Sequence, residues 1–599
     1  MVITGGASRR AQARRTCLLS GIAVILGIAG GGAAWVLVHL IGLITNVVLF
    51  HRWGFELPSF QDFHPGPILL VEAAAGGLAV SLLAKWSPVI RGHGLPEAME
   101  AVLTRQSRIA PRTAVAKPIS AAIAIGTGGP FGAEGPIIVT GGAIGSLIGQ
   151  LIRVTPSERK ILLACGAAAG MSATFGAPLA AVVLAIELLL FEFSSRAFVP
   201  LVVAASVAGV MHTVLFSPGP LFHVPIHDYA GLPSLPVFAA VGVACGLLAV
   251  VICKGLYLVE GGFRWLPISE FWHPIVGALG FATVGLVVPR ALGVGYDTIN
   301  EILANRFTIG VLAALLVAKL LAWWIALGSG TSGGTLAPIL FVSGAFGGLL
   351  GALINELVPG MHLSPGAVAL VAMAATFGAA TRATFTAIVF AFELTQDYRA
   401  ILPIMLASAV ATLVAGALLD HGLMTEKLAR RGLHVPLDYQ PDYLHATSVR
   451  LAMTSDVAVL RADDTVNDAR VRLDQTSHSA YPIVDEEQRC VGIVSRSDLL
   501  GPEATPGAPL SSISSPDVIT LVPNDTLLTA LERIINENVE HLPVLDESQH
   551  IVGICTRTDI LRARSQHLAA EQSQAGWRVG WRRGRSSPDA PSTRSARNP

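Results

Sequence analysis

The stretch "FGAEGPIIVTGGAIGSLIG" (131–149) is echoed by "GGTLAPILFVSGAFGGLLG" (333–351), and this match decides the fold. Pro136 pairs with Pro338 and Gly142 with Gly344, both at an offset of 202 residues. "ATFGA" at 173–177 and 375–379 keeps the same offset, and "GHG" (92–94) returns as "GVG" (293–295) at 201. The helices ending "AIEL" and "AFEL" follow after a four-residue insertion, about one helical turn. The chain therefore holds two related halves, at about 68–215 and 236–421. Internal repeats with Gly/Pro-broken helices in corresponding places point to a transporter site built from half-helix ends.

Composition agrees. Of 599 residues only 14% are charged, against about a quarter in soluble domains, and the mean hydropathy is +0.60. Runs such as 21–50 and 307–328 exceed what a hydrocarbon core about 30 Å thick requires. The predicted class is a multi-pass α-helical membrane protein with a soluble α/β part. Arg9, Arg10, Arg14 and Arg15 precede an apolar run too long for a signal peptide, so an uncleaved anchor with a cytoplasmic amino terminus is expected. Lys427, Arg430 and Arg431 place the carboxy-terminal side in the cytoplasm too, which makes the number of crossings even.

Net charge is zero, so no bulk field favours nucleic acid. The six cysteines show no metal-ligand spacing. An embedded metalloprotease needs HExxH or an equivalent ligand set, which is missing, and a divalent-cation transporter needs converging acids where the breaks offer one. The expectation is a non-enzyme without a metal site.

A second repeat occupies 447–566. Landmarks of 463–500 recur in 524–561 displaced by 61: Thr465/Thr526, Pro482/Pro543, Gly492/Gly553, Asp498/Asp559. Each copy reads helix, strand, turn, strand, helix start. The segments expected are 1–16 (cytoplasmic amino-terminal), 17–425 (transmembrane), 426–446 (linker), 447–509 and 510–566 (repeat units), and 567–599, a basic tail expected to be disordered, whose Trp577 and Trp581 suit an anionic leaflet. Both units resemble a tandem pair of CBS domains. That resemblance implies an adenine-nucleotide sensor (ATP, ADP or AMP) with ribose-contacting carboxylates at Asp498 and Asp559; "SRSD" and "TRTD" are also capping boxes in form, which leaves a purely structural role open.

Three Gly-rich turns feed apolar helices: Gly92-His93-Gly94-Leu95-Pro96, Gly132-Ala133-Glu134-Gly135-Pro136 and Gly334-Thr335-Leu336-Ala337-Pro338. A helix start leaves backbone N–H groups unpaired at the positive end of the dipole. Inside a bilayer, converged starts form an anion site without a bare positive charge.

In order, spacing and trailing module these turns resemble the filter motifs of the CLC family of chloride channels and proton-coupled chloride exchangers. The resemblance implies a homodimer in the cell membrane, two inverted half-repeats and one anion pathway per subunit. Glu134 matches the family's gating glutamate, and a carboxylate aimed at an anion nest competes directly with chloride. His93 stands where the family has a serine, Met424 where it has a tyrosine, and Leu188 where exchangers carry an inner proton-relay glutamate. Glu187 lies about 100° around the helix from that position and is read, like Glu393, as structural. Leu188 and Met424 make a passive, voltage- or pH-sensitive channel the leading expectation and a proton-coupled exchanger the alternative.

Overall fold

The computed structural model describes residues 4–574 apart from 217, 223, 226–227, 230, 358–361, 434–443, 445–446, 476–478, 503 and 516. The basic tail with Trp577 and Trp581, and most of the linker, lie outside the described residues. The chain forms two compact units that divide at Tyr439/Gln440.

Among the described residues of the first unit eight α-helices are followed by eight that repeat their order. The first set is α1 (Thr4–Val48), α2 (Ile68–Trp86), α3 (Leu95–Thr104), α4 (Pro111–Gly126), α5 (Glu134–Leu151), α6 (Pro156–Phe175), α7 (Pro178–Ala185) and α8 (Ser195–Leu215). The second is α9 (Leu235–Trp265), α10 (His273–Val287), α11 (Tyr296–Leu303), α12 (Ile309–Gly328), α13 (Leu336–Leu357), α14 (Pro365–Thr381), α15 (Thr384–Thr395) and α16 (Ile401–Leu418). A short α17 (Glu426–Arg430) follows. The four-residue insertion carries the carboxy-terminal end of α14, Thr381, about one turn past Phe377, the equivalent of the end of α6 at Phe175. Packing repeats too: α5 lies on α6 as α13 lies on α14, and α1 on α8 as α9 on α16.

Among the described residues seven helices are long and apolar enough to cross a membrane. Their order in space follows from composition. The Ala/Gly-rich α6 and α14 are the central helices: α14 is buried from Gly366 to Thr381. Outer helices show large apolar side chains, such as Val36, Leu82, Val210 and Leu413, to the surroundings, as lipid-facing helices do. Local chemistry sets the helix ends. In α6 the Thr155 side chain and Glu158 form a reciprocal capping box with Pro156 at the first position. Glu158 also binds Arg15 at 2.6 Å and Arg196 at 2.8 Å, which ties α6 to α1 and α8.

The second unit contains α18 (Val449–Ala452), β1 (Leu460–Arg461), α19 (Val466–Gln475), β2 (Ala480–Val484), β3 (Cys490–Ser495), α20 (Arg496–Leu500), α21 (Leu527–Asn536), β4 (His541–Leu545), β5 (Ile551–Thr556) and α22 (Arg557–Gln574). β2 and β3 are antiparallel with Pro482 opposite Ile493, and β4 and β5 repeat this with Pro543 opposite Ile554. The displacement of 61 is thus kept in strand register. Ser479 and His541, 2.8 Å apart, join the two copies.

Candidate functional site

The three glycine-rich turns meet. Gly92 pairs with Ser332 and Gly132 with Gly334, whose amide donates to the Gly132 carbonyl at 2.9 Å. Gly94 has φ +93°, a conformation that favours glycine. A Cβ on Gly135 would lie 2.1 Å from the His93 carbonyl oxygen, so that glycine lets the second turn reach the first. The starts of α3, α5 and α13 therefore face one another. Leu95 and Pro96 open α3, Pro136 lies in the first turn of α5, and Leu336, Ala337 and Pro338 open α13. Ala133 precedes α5 and Thr335 precedes α13.

Glu134 is 1% exposed. Its carboxylate lies back over the turns: an added Cβ on Gly334 would be 2.6 Å from Oε2. The backbone amides of Glu134 itself and of Ala337 face it, so the group sits at the starts of α5 and α13 together. Tyr296 donates its hydroxyl to Oε1 at 2.8 Å, whereas Oε2 has no hydrogen-bond partner among the described residues. Both ring nitrogens of His93 and the Ser332 hydroxyl are also buried without a partner among the described residues. Buried polar atoms are costly to leave unpaired, and this group surrounds the meeting point of the helix starts. The arrangement suits a polar ligand that accepts hydrogen bonds.

Two residues that the sequence reading missed hold the turns. Lys117 of α4 is fully buried and donates to the carbonyls of Ile90 and Gly92, each at 2.7 Å. Lys319 of α12 is fully buried and donates to Ala291 at 3.1 Å and Gly293 at 2.7 Å. The lysines are themselves 202 residues apart and clamp equivalent turns. A charged residue inside an apolar run, repeated at the repeat offset, was the signal available to find them. Tyr296 and Ser332 carried no such signal.

Glu187 and Glu393 cap each other's helices. Glu187 accepts from the amide and hydroxyl of Thr386 at the start of α15, and Glu393 accepts from the amides of Leu179 (2.9 Å) and Ala180 (2.7 Å) in α7. Leu188 is buried in a π-helical turn, Ile186–Leu190. Met424 is buried beside Leu423, whose carbonyl accepts from Tyr257. A cavity of about 800 Å³ reaches Gly92, and its lining holds six basic side chains against four carboxylates. That excess attracts anions toward the glycine-rich turns.

In the second unit Asp498 and Asp559 each complete a capping interaction at the start of α20 and α22. The two differ otherwise. Asp498 is exposed, whereas Asp559 is 5% exposed, contacts Thr454 at 3.3 Å and lines a cavity of about 400 Å³ with Ser479, His541, Arg557 and Arg562. Burial holds the His541 pKa below its usual value, against the opposing charges of Glu540 and Asp559.

Paired halves with broken helices meeting at one polar point define a membrane transport protein. The chain belongs to the voltage gated chloride channel family, whose family model matches residues 75–416, and two CBS domains match 447–501 and 510–566. It is 30% identical over 370 residues to the H(+)/Cl(-) exchange transporter ClcA of Vibrio campbellii, across 60% of this chain and 79% of that one. With the chloride channel protein CLC-f of Arabidopsis thaliana it shares 26% identity over 623 residues, covering 88% of this chain and 77% of the relative. A slow cyanobacterial Cl-/H+ antiporter superimposes with a TM-score of 0.60 at 24% identity, over 70% of this chain and 98% of that one. The activity is thus CLC-type anion transport across a membrane by a multi-pass protein with two inverted half-repeats.

Proposed function

We propose that this protein exchanges chloride or a related anion for protons, with Glu134 as both gate and proton acceptor. The observation that carries the reading is the Glu134 carboxylate, seated among the starts of α5 and α13 beside the unpartnered His93 and Ser332 side chains. An anion and an ionised carboxylate compete for the same amides, and protonation removes the competitor. Exchange is preferred to the passive channel because ClcA relatives are named H(+)/Cl(-) exchange transporters. Leu188 and Met424 favour the channel and require a proton route without the inner glutamate. Purified protein in chloride-loaded liposomes, read for chloride and protons together, separates the two: a chloride gradient drives protons uphill in an exchanger. Chloride flux with no proton movement sinks the exchange reading and leaves a channel.

The protein acts as a transporter, not an enzyme, as a homodimer in the cell membrane with both termini cytoplasmic. The CBS pair takes an adenine nucleotide in the cavity at Asp559, where Arg557 and Arg562 suit phosphate oxygens and the carboxylate suits a ribose diol. Equilibrium binding of ATP, ADP and AMP to the whole protein tests this. Asp559→Ala is expected to weaken binding about tenfold or more, the loss of a charged hydrogen-bonding group, and Asp498→Ala to change it little. Equal affinity in parent and Asp559→Ala protein rejects the site.

A further inference from the structure

The second half contains a copy of the first glycine-rich turn. Gly293-Val294-Gly295-Tyr296 matches Gly92-His93-Gly94-Leu95 at an offset of 201, and each turn leads into a short helix, α11 or α3. Each is clamped through its carbonyls by a buried lysine, Lys319 or Lys117. They differ in the residue that opens the helix. In the first half it is the apolar Leu95, and in the second it is Tyr296, whose hydroxyl crosses to the other half and meets Glu134 Oε1 at 2.8 Å. The tyrosine ring is held edge-on by Phe175 and Phe222, with centroids 6.3 Å and 6.1 Å away. The hydroxyl is therefore aimed by the lysine clamp behind it and by aromatic packing around it.

We propose that Tyr296 is a latch: a positioning residue that holds the ionised Glu134 carboxylate in the anion site and so sets how readily chloride and protons release the gate. A hydroxyl donor favours an ionised carboxylate over a protonated one, and an anion that displaces the carboxylate must break this bond. The latch belongs to the second half and the gate to the first, so the repeated turn of one half acts on the acid of the other. The other titratable groups are Lys319 from α12 and, around the first turn, His93, Lys117 of α4, Glu97 of α3 and Lys427 of α17. Asp297, next to Tyr296, is bonded to Ser59. The charged residues of α6 lie at the far end of α5, where Arg159 donates to the Gly149 carbonyl, and Arg15 of α1 pairs there with Glu158. Glu356 is at the opposite end of α13 from Leu336.

The inference rests on Glu134 as the gate and not on proton coupling, so the test reads anion flux. Radioactive chloride flux through whole protein in liposomes is measured across pH and chloride concentration for the parent, Tyr296→Phe, Glu134→Gln and the double variant. Tyr296→Phe is expected to move the pH of half-maximal flux about one unit alkaline and to lower half-saturating chloride about tenfold, the equivalent of ~1.4 kcal/mol. The sign follows because the lost donor had favoured the ionised, closed form. In the Glu134→Gln background the same change is expected to do nothing further. Tyr296→Leu, which restores the residue of the first-half turn, repeats the test should the phenylalanine variant fold poorly. An unmoved profile and chloride dependence in a folded variant overturns the latch, as does an equal change in the Glu134→Gln background. If Glu134→Gln keeps the parent's pH dependence, the gate assignment falls and the latch with it.

Discussion

Glu134→Gln is expected to give an anion flux that no longer falls as pH rises and that carries no protons. On the proposed function, the ionised carboxylate of the parent occupies the helix starts and blocks the anion, while the protonated form does not compete. Flux should therefore be highest at low pH and decline about tenfold per pH unit above the titration of the gate, since each unit changes the protonated fraction by that factor. Glutamine has nearly the shape of the protonated acid and does not titrate, so the variant should hold the low-pH flux at every pH. Glu134→Ala should behave alike, with a larger opening where the side chain had been. The measurement is chloride efflux from liposomes at stepped external pH, with a proton indicator in the same vesicles. A pH dependence unchanged from the parent would show that another group is the gate.

Lys117→Met is expected to abolish most of the flux while leaving the unit assembled but less stable. The lysine satisfies the carbonyls of Ile90 and Gly92 inside a fully buried environment. Methionine fills comparable volume but donates nothing, so two buried acceptors lose their partner at roughly 1–3 kcal/mol each. Those carbonyls belong to the turn that presents His93, and the displaced turn no longer faces the start of α5. A fall in flux of about tenfold or more is consistent with that disturbance of geometry. Lys319→Met should produce a similar loss of stability, read as a lower melting temperature in detergent. Its flux phenotype should differ, because the turn it clamps carries Tyr296 and not the filter. Parent-like flux and melting in Lys117→Met would mean that the turn is held by other contacts.

Much of the fold could be read from the chain. The offsets of 202 and 61 recur in three dimensions, as matched helix pairs in one unit and as matched strand register in the other. The glycine-rich turns were legible because glycine and proline break helices for reasons carried by the local chain. Glu134 was legible because a lone carboxylate among such residues is costly unless it has work to do. Lys117 and Lys319 were legible in principle at the repeat offset.

Tyr296, Ser332 and the exchange of caps between Glu187 and Glu393 were not. Their partners are distant in sequence, as with Glu134 and Tyr296, 162 residues apart. No local pattern encodes a hydrogen bond between the two halves. The sequence by itself determined the helices, their breaks, the repeat and the place of the one acid among the glycine-rich turns, because propensity, hydropathy and spacing are properties of short segments. The tertiary structure alone decided which helix starts face one another, which lysines hold the turns, and that a tyrosine of the second half reaches the acid of the first, because those depend on how the two halves pack.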